Sequence, residues 1–118
     1  MFLIGKPPFK LSEYNREDSE GNFIVKNHAY FAQSAGYVTA NVSLSTAAHY
    51  IRGYVGMTSN PAGEGDNIRY MQIGGAVYDV SISFLVPKGA YFEITSDSGT
   101  PVIWWLSFGA LRKPIDFN

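Results

Sequence analysis

The chain reads as an all-β protein, an antiparallel β-sandwich of jelly-roll type with about eight strands, and three observations carry that reading. Apolar residues recur at every second position in several runs, most cleanly over residues 78–86. There Tyr78, Val80, Ile82, Phe84 and Val86 share one face, while Asp79, Ser81, Ser83 and Leu85 share the other. A helix would spread those apolar groups round its circumference. Turn-forming residues punctuate the chain roughly every ten residues, which is the rhythm of a sandwich. Finally, only 16% of the residues are charged while 15% are aromatic and 12 are glycine, a composition unlike that of a helical bundle.

At 118 residues the chain is long enough for one domain with a single core. Residues 1–35 are expected to form an N-terminal arm with the first strand or strands, suited to attachment, and residues 36–118 the sandwich body. The opening apolar run is only Phe2, Leu3 and Ile4 before Gly5 and Pro7-Pro8. That is too short for a signal peptide, and far short of the about 20 residues of a membrane-spanning helix. No membrane insertion is expected, so an extracellular role would require lysis or carriage in a particle. Met1 would fit a complete small gene product, and equally a cut domain given a start codon. Residues 11–21 (LSEYNREDSEG) hold the densest charge and read as a solvated loop or a single helical turn. Residues 22–33 read as one kinked strand or two short ones.

Over residues 37–45, Val38, Ala40, Val42 and Leu44 alternate with Thr39, Asn41 and Ser43, as in a sheet with one solvated face. Residues 49–57 follow the same rule, with Ile51 and Val55 inward and Tyr50, Arg52 and Tyr54 outward. Residues 58–66 (TSNPAGEGD) form a surface loop, residues 67–73 the next strand, and Gly74-Gly75 a turn. Pro87, which lacks a ladder donor, and Gly89, which can take positive φ, end the run at 78–86. Residues 91–96 then follow as the second arm of a hairpin, and residues 97–101 close another. The last strand, VIWWLSF at 102–108, is apolar on both faces: Val102, Trp104, Leu106 and Phe108 on one, Ile103 and Trp105 on the other. A strand apolar on both sides is covered on both sides. The second cover is an N-terminal segment, a C-terminal segment or a neighbouring subunit, and Ile103 and Trp105 are candidates for a subunit interface.

The chemistry for catalysis is missing from the sequence. A net charge of −1 gives no electrostatic case for nucleic acid, and the absence of cysteine removes disulfides and thiolate metal sites. His28 and His49 would approach each other if their strands paired, but without a convergent carboxylate they read as structural. Glu64 and Asp66 could offer oxygens to calcium, yet the twelve-residue loop pattern for that ion is absent. There is no Gly-x-Ser-x-Gly elbow, and no phosphate-loop lysine follows Gly74-Gly75. Asp79 and Glu93, with Asp97 nearby, would be neighbours on a hairpin, where like charges mark an exposed edge more often than a hydrolytic dyad. A non-enzymatic protein without metal or cofactor is expected.

Binding residues are easier to nominate. Tyr50, Arg52 and Tyr54 share an outward face that Tyr70 would extend from an adjacent strand, and Asn60, Glu64 and Asp66 lie in the loop beyond. Tyrosine and arginine are enriched at binding hot spots, and exposed aromatic rings stack on sugars. The same groups would also serve as packing in a subunit interface or beneath a loop.

The order of several short motifs from Gly36 to Trp105 resembles the C-terminal receptor-binding tip domains of bacteriophage tail fibres. The motifs are Gly36-Tyr37-Val38, then Tyr54-Val55-Gly56 with the loop from Thr58 to Pro61, then Val86-Pro87-Lys88-Gly89, Ala90-Tyr91-Phe92 and Trp104-Trp105. The resemblance implies a homotrimer in the virion tail, assembled in the host cytoplasm. It also implies contact with other tail proteins and recognition of a host surface glycan or outer-membrane protein through loops. Packing about a threefold axis would then cover Ile103 and Trp105. The chain departs from that pattern in continuing past the tryptophans to Asn118 and in lacking a fibrous repeat ahead of residue 36. A structural virion protein, a capsid decoration or tail adaptor, is the alternative from another class, and a small carbohydrate-active enzyme on a jelly roll is a third.

Overall fold

The computed structural model describes residues 15–43, 49–73 and 79–107, together with the backbone of 116 and 117. The expected N-terminal apolar run, the Gly74-Gly75 turn and the positions of Leu44, Tyr78 and Phe108 lie outside the described residues. Among the described residues eight strands form: β1 (Ala29–Phe31), β2 (Gly36–Ser43), β3 (Tyr50–Gly56), β4 (Ile68–Ile73), β5 (Asp79–Val86), β6 (Tyr91–Ser96), β7 (Val102–Ser107) and the short β8 (Asp116–Phe117). They make two antiparallel sheets, one in the order β4-β3-β6-β1-β8 and the other β5-β2-β7. Asn15 adds an antiparallel bridge to Trp105 on the free side of β7, through N···O contacts of 2.7 and 2.8 Å.

Only the connection from β3 to β4 stays within one sheet; every other step crosses to the opposite sheet. With the Asn15 bridge counted beside β7, the layers read 15-β7-β2-β5 and β1-β6-β3-β4. This is the connectivity of a jelly roll. The all-β sandwich expected from the alternation is therefore the fold.

The expected hairpin at residues 78–96 is instead a corner between sheets. β5 pairs with β2, and β6 pairs with β3 and β1, so β5 and β6 face each other across the interior. The corner is fixed by Gly89, at φ 86°, and by hydrogen bonds from Gly89 N–H to Ala32 O (2.8 Å) and Ala32 N–H to Ala90 O (2.9 Å). Its physical reason lies in the core. Val80, Ile82, Phe84 and Val86 from one layer and Phe92 and Ile94 from the other bury each other, which a flat hairpin would leave to a third element. The segment 97–101 is likewise a crossing rather than a hairpin.

Aromatic rings fill the centre. Phe92 stacks on Trp105 at 5.8 Å between centroids and meets Phe84 edge-on at 6.5 Å, while Tyr30 stacks on Phe92 at 5.5 Å. Gly36 lies against the Trp105 indole, where a side chain would overlap the ring. Ile103 and Trp105, the residues nominated for a subunit interface, are each 1% exposed in the single chain, so the sandwich itself already covers them. Full burial of an Ile-sized side chain stabilises by about 1.5–3 kcal/mol, so these residues are needed inside. The outward residues of β7 are Val102 and Trp104, both half-buried, and Leu106, fully buried; Arg16 lies over the Trp104 ring at 5.5 Å. The second cover on β7 thus includes the N-terminal segment.

From Asn15 on, the described part of that segment is neither a loose loop nor a helical turn. Residues 15–24 form a tight β-hairpin with a Glu17–Phe23 bridge, hydrogen bonds from Asp18 N–H to Asn22 O and from Ile24 N–H to Arg16 O (both 2.8 Å), and Gly21 at φ 83°. Asp18 is buried, and its Oδ1 accepts from Glu20 N–H (2.8 Å) and Asn22 N–H (3.1 Å). A carboxylate that tethers its own turn explains how so polar a stretch stays ordered. From Asn15 onward the described part of residues 1–35 packs into the sandwich, with Tyr30 of β1 only 1% exposed.

Candidate functional site

The outward face of the five-stranded sheet gathers the most varied set of binding-capable side chains. The register sets Tyr50 against Ile73, Arg52 against Met71 and Thr95, and Tyr54 against Arg69 and Glu93. Arg52 is the hub. Its guanidinium lies over the Tyr50 ring at 4.0 Å, and its Nε meets Met71 Sδ at 3.3 Å. Hydrogen bonding to Tyr54 is the largest cause holding Arg52 even more firmly protonated than usual. A planar cation fixed on a half-exposed tyrosine, with Met71 and Ile73 about half exposed beside it, makes a surface with one flat charged plate and an apolar margin.

Tyr50 is held at the entry to β3 by Asp97. One Asp97 oxygen accepts from the Tyr50 N–H at 2.9 Å and the other lies 3.1 Å from His49 Nδ1. Partial burial acts to raise the Asp97 pKa, but these two partners outweigh it and hold the carboxyl below the usual range. His49 is therefore a local support. His28 lies beside β1 instead, tilted against Tyr30 at 5.1 Å, and β6 separates β1 from β3, so the two histidines do not converge.

The nominated residues do not form one site. Tyr50 and Arg52 lie outward and half-exposed as expected. Tyr54 shares their face but is only 9% exposed, which makes it a support for Arg52 rather than a contact surface. Tyr70 does not extend the patch. The register pairs it with Gly53 on the inner side, where it stacks on Phe84 at 4.7 Å. Arg69 and Met71, its neighbours in β4, take the outward positions, and no residue type in the sequence marks which of the two alternating sets faces out.

The loop residues are separate again. Asn60, Glu64 and Asp66 follow the far end of β3, about 20 Å along the strand from Tyr50. Glu64 closes the loop on itself: its carboxylate accepts from Met57 N–H (2.9 Å), Thr58 N–H (2.8 Å) and Thr58 Oγ1 (2.8 Å). The two backbone donors are the main reason its pKa is lowered. With both oxygens engaged, Glu64 is a structural staple. Asn60 precedes a single 3-10 turn, Pro61–Gly63, and Asp66 is exposed. Asp79 and Glu93 lie on the outward faces of opposite sheets, so they form no carboxylate pair. Among the described residues no group of three or more His, Asp or Glu stands together to hold a metal ion.

A concavity of about 430 Å³ opens elsewhere, where the ladder between β2 and β7 ends at Asn41–Val102 while that between β2 and β5 continues to Ser43–Asp79. Asn41, Ser43, Asp79 and Thr100 line it with hydrogen-bonding groups, and Ser43 Oγ donates to Asp79 Oδ1 at 2.7 Å. None of its described lining residues is aromatic.

Comparison with known proteins returned no matching family model, no matching curated protein and no matching solved structure. No helix among the described residues is long and apolar enough to cross a membrane.

Proposed function

We propose that the chain is a non-catalytic binding module of the receptor-binding tip kind, which recognises a glycan or protein on a host cell surface. The observation that carries this reading is the Arg52–Tyr50 pair, a guanidinium seated 4.0 Å over a half-exposed ring on an open sheet face. Such a plate suits the C–H face of a sugar ring on one side and its hydroxyls or a carboxylate substituent on the other. The motif order from Gly36 to Trp105 supports placing the module at a phage tail tip, among other tail proteins. A homotrimer has only that resemblance in its favour, because the two residues that suggested a threefold contact belong to the core.

The alternative, a structural virion protein, is favoured by one observation: exposed Met71 and Ile73 border the same face. Retention of labelled protein on intact bacterial cells, alongside a glycan array, separates the two. Binding to cells or to a defined glycan supports recognition, and its absence leaves assembly as the role.

A further inference from the structure

Among the described residues β4 is the edge strand of the five-stranded sheet. It pairs with β3 along all six residues, and among the described residues no strand pairs with its other side. An open edge presents a row of N–H and C=O groups to any incoming strand, and proteins blunt such edges with proline, bulges, charges or brevity. β4 uses little of this. It contains no proline, its register with β3 is unbroken, and Arg69 is its single charge. Every residue but Tyr70 is exposed, on both faces, with Ile68, Met71 and Ile73 at 53, 52 and 52%. β5, on the same side of the sandwich, behaves differently: its exposed residues alternate strictly, and three of the four are Asp79, Ser81 and Ser83.

We infer that β4 pairs antiparallel with the β4 of a second copy of this chain, joining two five-stranded sheets into one of ten strands. The strand is self-complementary. A twofold axis normal to the sheet pairs only residues on the same face, so the register must be centred on one residue. Centring on Arg69 would oppose two guanidiniums, which destabilises a pair. Centring on Met71 sets that residue against its own copy, Ile73 against the aliphatic stem of Arg69, and Tyr70 against Gln72. The two arginines then stand four residues apart along the edge, about 13 Å. A foreign strand would find no charge pattern here to select it, whereas the copy supplies apolar groups in register with those it must cover. The pairing also sets two Arg52–Tyr50 plates on one continuous surface, because Met71 is the residue that Arg52 touches. The dimer does not depend on what those plates bind.

The chain has no cysteine, so Met71→Cys introduces a single thiol. Residues directly opposite across an antiparallel pair have Cβ atoms about 4.5–5.5 Å apart, near disulfide reach. At tens of micromolar the wild-type chain is expected to sediment at twice its 13.0 kDa mass. Met71→Cys is expected to give a covalent dimer on mild oxidation, while Gly65→Cys, on the exposed loop, does not. Met71→Lys should weaken the dimer on the order of tenfold or more with circular dichroism and Tm retained. A monomeric or trimeric wild-type chain overturns the inference. So does a dimer that Met71→Lys leaves unchanged and Met71→Cys fails to cross-link.

Discussion

Gly53 and Phe84 occupy complementary space across the sandwich: the Phe84 ring fills the volume that a side chain on Gly53 would take, with Cζ 2.7 Å from the position of a Cβ there. Phe84 in turn stacks on Tyr70, the residue opposite Gly53 in β4. One missing side chain in β3 thus ties the edge strand to the core of the other sheet.

Gly53→Ala should therefore destabilise the fold by about 1–3 kcal/mol, the usual cost of overpacking. Gly65→Ala, with open space around it, should change stability by less than ~1 kcal/mol. Urea unfolding of the two variants checks the contrast, and equal effects would mean that the Phe84 contact is not tight.

The loop after β3 should respond to acid through Glu64. Its pKa is depressed in the fold by the Met57 and Thr58 N–H groups. The stabilisation it gives is complete above the unfolded value of 4.5 and disappears as pH falls through the lower folded value. Amide exchange at Met57 and Thr58 should lose protection in that acid window. In Glu64→Ala both amides should be weakly protected at every pH.

Glu93 should behave in the opposite sense. Burial pushes its pKa up, with the charge of His28 acting against that rise. Below the unfolded value of 4.5 the carboxyl is protonated in both states and costs nothing, whereas above the folded value the half-buried charge opposes folding. Glu93→Gln should raise Tm by about 1–3 °C at pH 7, and the gain should vanish in acid below the unfolded value. Thermal melts of both proteins across that range decide it.

The architecture was legible in the sequence because alternation in β2, β3 and β5 names the inward residues whatever the topology. Val38, Ile51 and Phe84 are inward as read. The partners of those strands were not legible. A three-residue Pro-Lys-Gly turn serves a hairpin or a corner between sheets equally well, and only the mutual burial of Phe84 and Phe92 decides between them. On β7 both faces are apolar, so period two could not say that Trp105 lies inside and Trp104 beneath Arg16. In the candidate site Tyr50 and Arg52 followed from alternation. The inward turn of Tyr70 and the outward place of Met71 depend on the β3–β4 register, which shifts every side chain to the other face if moved by one residue.

The most direct test of the recognition reading is the affinity of Arg52 variants for intact host cells or for a glycan identified on an array. Removing a stacked, charged hot-spot residue typically costs 2 kcal/mol or more, so Arg52→Ala should weaken binding by about thirtyfold or more. Arg52→Lys should restore little, because an ammonium lacks the planar stack on Tyr50. Thr39→Ala, on the outward face of the other sheet, should bind as wild type. Cell or glycan binding that is undiminished in Arg52→Ala, with the fold intact, would contradict the assignment of the Arg52–Tyr50 face as the recognition surface.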